Sequence, residues 1–190
     1  MDALLAARLV GPSGRVIGLE MTPEMIAKAR QNAERAGATN VEFRLGDAEQ
    51  MPVADASVDW VISNCVINLA PDKSQVFGEI VRVLKPGGHV AISDIVTGDL
   101  PPAIRQGLAS WAACIGGAIS EDQYVDTMRR AGLSDVQVIA RQTYDAVSLR
   151  GLLEETASPA GLPPELVEAV CSPEVLSQSW STRITASKPE

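Results

Sequence analysis

Four short stretches carry side chains that could do chemistry, and each follows an apolar run that reads as a β-strand: Glu20-Met21, Gly46-Asp47-Ala48, Asn64-Cys65 and Asp94. In an open parallel sheet, ligands sit beyond the carboxyl ends of the strands. An acid in the position of Glu20 can accept hydrogen bonds from both ribose hydroxyls of an adenosine group. Met21 could lie against the adenine, and Asp47 could receive its amino group. Plainer alternatives stand beside these: Glu20 as a solvated acid at a strand end, Asp47 as the acceptor of a local turn. Three cysteines, Cys65, Cys114 and Cys171, are odd in number and widely spaced. They form no disulfide framework and suit a reducing cytosol. A single histidine, His89, leaves little scope for histidine acid–base chemistry or a histidine-rich metal site.

The elements that must position these groups are legible as strands alternating with helices, which implies a mostly parallel sheet covered on both faces. A short helix over 3–10 stops at Gly11-Pro12-Ser13-Gly14, and 15–20 reads as a strand. Thr22 as N-cap and Pro23 at the first helical position open a helix that Gly37 closes. Residues 41–45 and 58–63 are strands, the second apolar enough to be buried on both faces. A helix over 73–84 breaks at Lys85-Pro86-Gly87-Gly88, which turns into a strand over 89–94. Beyond it, 101–115 reads as helical. Ser120 and Gln123 make a capping box for a helix that Gly132 ends. Residues 136–140 form a strand, 148–156 and 164–170 short helices, and 179–187 a last strand.

The chain has 190 residues, 46% hydrophobic and 21% charged, as expected of one folded domain over 1–190 with a substantial core. Helical, substrate-side segments fall at about 99–133 and 146–176. No apolar run reaches the roughly 20 residues that span a bilayer. The first residues lack the basic start of a signal peptide, so the expected location is the cytoplasm. With 24 acidic and 16 basic side chains, the formal net charge of -8 argues against a nucleic-acid partner.

An acid after a strand does not by itself separate a nicotinamide dehydrogenase from an S-adenosylmethionine-dependent methyltransferase. The Lys85-Pro86-Gly87-Gly88 turn and the closing strand–helices–strand order favour the second, with an antiparallel final strand. No second nucleotide-binding half is visible. Four segments then stand out: RVIGLEMTPEM from Arg15, DAEQMPVADASV from Asp47, SNCVINLAPDK from Ser63 and VLKPGGHVAISD from Val83. Together with WAACIGGA from Trp111, they resemble the arsenite methyltransferase family, from Asp2 to about Arg130. The glycine turn is shared by many class I methyltransferases. The Asn-Cys-Val-Ile-Asn-Leu and Trp-Ala-Ala-Cys stretches are the specific ones.

The resemblance implies an α/β Rossmann-like class I methyltransferase sheet and S-adenosylmethionine as cofactor, held by Glu20, Met21, Asp47, Ala48 and Asn64. It makes Cys65 and Cys114 the thiolates for a small substrate, arsenite or methylarsenite, and gives no role to Cys171. Trivalent arsenic is soft and thiophilic, so paired thiolates suit it. Methyl transfer to its lone pair asks chiefly for proximity and orientation. Glu20 stands where many members carry Asp. The family's central first strand, its glycine-rich loop and its upstream cysteines would lie before Asp2, so the sequence resembles an N-terminally truncated methyltransferase. Such a chain would leave strand edges near Val16-Ile17 and Val61-Ile62 to close on each other, or to be covered in a homodimer. Two competing readings are a class I methyltransferase acting on carbon or oxygen of a small metabolite, and an inactive remnant that binds metalloids or self-associates.

Overall fold

A computed structural model describes residues 2–99, 115, 117–143, 145–147, 150–151 and 164–190. The expected helices over 101–115 and 148–156, and with them Trp111 and Cys114, lie outside the described residues, apart from Ile115 and residues 150–151. The chain divides into two compact units, Met1–Ala54 and Asp55–Glu190.

In the first unit, helix α1 (Asp2–Val10), strand β1 (Val16–Glu20), helix α2 (Pro23–Arg35) and strand β2 (Val41–Leu45) form a βαβ motif with a leading helix. The strands pair in parallel from Val16 opposite Val41 to Glu20 opposite Leu45. Asn40 ties the start of β2 to the end of α1, its Nδ2 donating to the carbonyls of Ala7 at 2.9 Å and Gly11 at 2.8 Å. Gly18 is there for space: a Cβ on it would stand 2.6 Å from the Phe43 ring on the neighbouring strand. Ile26 and Ala33 are the buried face of α2. Thr22 flanks that helix as expected, but its side chain makes no capping bond.

The second unit holds β3 (Val58–Asn64), a 3-10 turn (Ile67–Leu69), α3 (Lys73–Val83), β4 (Leu84–Thr97), α4 (Glu121–Arg130) and β5 (Ser134–Thr143). It closes with α5 (Pro164–Val170), α6 (Pro173–Ser177) and β6 (Ser179–Ser187). The strand order is β3-β4-β6-β5. β3 and β4 are parallel, and β6 runs antiparallel to both its neighbours, the expected final strand. Asp72 caps α3, its carboxylate accepting the N–H groups of Ser74 at 2.9 Å and Gln75 at 3.1 Å. The Ser120–Gln123 capping box is formed. Glu121, just behind it, accepts two bonds from Arg141, at 2.6 and 2.8 Å. Trp180 Nε1 and Thr182 Oγ1 donate to it at 3.2 Å each, so α4 is pinned to β5 and β6. Phe77, Ile80, Leu84, Val90, Tyr124, Met128 and Ile184 are the buried centre.

Two expectations need correction. β4 is much longer than 89–94: it starts at Leu84, opposite Val58, and runs on to Thr97 because β6 offers ladder partners as far as Ser179. β3 is not buried on both faces as expected: Trp60 is 58% and Ile62 50% exposed. Among the described residues, β1 pairs with β2 and β3 with β4.

Candidate active site

Glu20 ends β1, and its position follows from a chain that turns directly into α2. Its Oε1 accepts the Thr22 N–H at 3.0 Å, so the carboxylate, not the Thr22 hydroxyl, serves the helix start. The Glu20 carbonyl accepts the Gly46 N–H at 3.0 Å, which brings the loop after β2 alongside the end of β1. Glu20, Met21, Asp47 and Ala48 therefore gather at one end of this two-stranded sheet. Met21 is 70% exposed. Asp47 Oδ1 accepts the Glu49 N–H at 2.9 Å, and its carbonyl accepts the Gln50 N–H at 3.2 Å. Both carboxylates are oriented by the backbone. One N–H occupies one of about four acceptor positions on a carboxylate, so each keeps capacity for a ligand donor. A half-buried acid, an exposed thioether beside it and a tethered acidic loop fit the adenosine half of a nucleoside cofactor. Two surface concavities in this unit, lined by Arg15, Asn40 and Glu42 and by Arg30, Ala38 and Phe43, lie toward the start of β2 and contain none of these residues.

The second cluster is at the end of β3. Asn64 is exposed and Cys65 half-buried. Cys65 leaves the strand in the left-handed region, with φ +54°. Its N–H donates to the Ser93 carbonyl at 2.9 Å, continuing the β3–β4 ladder one step past the strand. The chain then tightens into the Ile67–Leu69 turn, where Ile67 and Asn68 are buried. Asn68 donates its N–H to Asp94 Oδ2 at 3.2 Å and its Nδ2 to the Ile95 carbonyl at 2.6 Å.

Asp94 was expected just beyond a strand end. It sits inside β4 instead, fully buried. Burial pushes its carboxyl up to about 6, while hydrogen bonds from Tyr124, Ile95 and Asn68 and the charge of Lys73 pull the other way. The Tyr124 hydroxyl, buried and facing that carboxylate, is pushed well above its ordinary value, with Cys65 contributing to its electrostatic surroundings. Asn68 and Tyr124 were not singled out as site residues. Asn68 lies within the Asn-Cys-Val-Ile-Asn-Leu segment, a local signal. Tyr124, on α4, had none. Cys171 is buried and burial raises its thiol pKa, which makes it a poor nucleophile.

Among the described residues, no group of three or more His, Cys, Asp or Glu could hold a metal ion. No described helix is long and apolar enough to cross a membrane.

The profile of a family described as "Methyltransferase domain" matches residues 1–132. The chain belongs to this methyltransferase family. The match takes in every candidate residue and the whole of α4. An arsenite methyltransferase of Halobacterium salinarum is 51% identical to this methyltransferase over 138 residues, 72% of this chain and 35% of that protein. The human arsenite methyltransferase is 41% identical over 128 residues, 62% of this chain and 34% of its own length. The chain thus spans about a third of these two curated relatives. Among solved structures, CrArsM, an arsenic(III) S-adenosylmethionine methyltransferase from Chlamydomonas reinhardtii, superposes with a TM-score of 0.73 at 30% identity. That match covers all of this chain and 60% of CrArsM.

Proposed function

We propose that this methyltransferase transfers methyl groups from S-adenosylmethionine to trivalent arsenic held by the thiolates of Cys65 and Cys114. The observation that carries the proposal is Cys65 itself. It is a half-buried thiol at the carboxyl end of β3, held in a left-handed backbone within a segment similar to arsenite methyltransferases. Soft thiolate sulfur matches a soft, thiophilic acceptor, whereas a carbon or oxygen acceptor needs no thiolates.

S-adenosylmethionine, when bound, supplies a methyl group on a positively charged sulfur. The chain's own part is binding and aim. Glu20 receives the ribose hydroxyls in this reading, and the bond from the Thr22 N–H that orients its carboxylate supports it. Met21 offers an apolar surface for the base, and Asp47 and Ala48 line the neighbouring loop. Asn64 and Cys65 belong to the reacting end. Fixing the acceptor on thiolates converts an encounter into a positioned reaction, the main contribution a protein makes to a displacement of this kind.

The test is methyl transfer from labelled S-adenosylmethionine to arsenite, with Cys65→Ser, Cys114→Ser and Cys171→Ser compared with the parent chain. Activity lost in the first two and kept in the third is expected. An essential Cys171 with a dispensable Cys114, or transfer to a carbon or oxygen acceptor that survives Cys65→Ser, would overturn the proposal.

A further inference from the structure

Cys65 occupies a backbone region that side chains other than glycine enter at a cost, and such a conformation persists only where the surroundings over-determine it. The surroundings here can be named. Cys65 is tied at its own N–H to the Ser93 carbonyl. Three residues on, Asn68 is held twice: its N–H by Asp94 Oδ2, its side chain by the Ile95 carbonyl. Lys73 Nζ closes the turn from the other side, donating to the carbonyls of Asn68 at 3.3 Å and Ala70 at 3.4 Å. Asp94 is fixed in turn by Tyr124, whose Oη donates to Oδ2 at 3.1 Å. The Tyr124 ring stands edge-on to Phe77 of α3, centroids 5.4 Å apart. Asn68, Asp94 and Tyr124 are all fully buried.

A buried carboxylate is a poor way to stabilise a fold, since an apolar group of similar volume is often as stable or better. This one accepts from the Asn68 N–H in the turn that follows Cys65 and from the Tyr124 hydroxyl, its other oxygen taking the Ile95 N–H. We propose that Asn68, Asp94 and Tyr124 are positioning residues: together they hold Cys65 in its left-handed backbone and so set the direction in which its thiol is presented. What the thiol then holds rests on the function proposed above. The backbone constraint does not.

The experiment has two readouts. The first needs no arsenic. Cys65→Gly and Cys65→Ala are compared by equilibrium unfolding in the parent chain, in Asn68→Ala and in Tyr124→Phe. In the parent, glycine should give a folding constant about fivefold larger than alanine, because only alanine is strained at positive φ. Once the turn is released the ratio should fall to about one or below. If Asn68→Ala does not fold, Tyr124→Phe, which removes one hydroxyl, carries the comparison. The second readout is affinity for phenylarsine oxide with Cys65 intact, expected at least about tenfold weaker in either variant. Native-state alkylation of Cys171 should stay unchanged. A glycine-to-alanine ratio that is the same in all backgrounds overturns the inference, as does unchanged phenylarsine oxide affinity in variants whose ratio has shifted. A shifted ratio in a parent chain that binds no phenylarsine oxide upholds the positioning role and overturns the arsenic reading instead.

Discussion

Tyr124 Oη lies 3.1 Å from Asp94 Oδ2 and donates to it, joining α4 to the middle of β4 across a fully buried contact. The carboxyl in this pair is pushed from 3.8 up to about 6, burial being the largest cause. An acid with a raised pKa in the folded state binds its proton more tightly folded than unfolded. Its contribution is therefore most favourable below about pH 4 and is lost as pH rises through 6. The loss is about 3 kcal/mol, from roughly two pKa units at 1.36 kcal/mol each.

Asp94→Asn should remove this dependence. The amide keeps one acceptor oxygen for the Asn68 N–H or the Tyr124 hydroxyl and carries no charge to desolvate. Urea midpoints measured from pH 4 to 7 should therefore converge between parent and variant at the acid end, and the parent should lose ground as pH rises. Parallel profiles would show that the buried carboxyl is not what titrates.

Asp72→Ala should cost about 1 kcal/mol of unfolding free energy through loss of the α3 N-cap. Its carboxylate serves two backbone donors, Ser74 and Gln75, which would otherwise face only water. Asp72→Ser should recover most of that loss. A drop of similar size in Asp72→Ser would place the effect in the charge rather than the cap.

Much of this fold could be read from punctuation. Pro23 and Gly37 bracket α2, Ser120 and Gln123 open α4, and Gly87-Gly88, read as a turn, lie inside β4 where its register against β3 shifts. These are local signals, set by backbone conformations and capping bonds that a few residues decide. The length of β4 was not readable, because it depends on β6 lying alongside, some 90 residues later in the chain. The site divides in the same way. The candidates Glu20, which ends a strand, and Asp47 and Cys65, which follow one, are suggested by position alone. The buried Asp94–Tyr124 pair spans 30 residues and two elements, and no spacing rule connects them.

Glu20→Ala should weaken S-adenosylhomocysteine binding by roughly tenfold to a hundredfold, the cost of losing hydrogen bonds to a charged acceptor. Calorimetry measures it. Glu20 also receives the Thr22 N–H, so the thermal midpoint must be followed as well, and Glu20→Gln separates the two roles. The amide oxygen can still accept from Thr22 while the charge is gone. Affinity that is intact in both variants would reduce Glu20 to a helix-start residue.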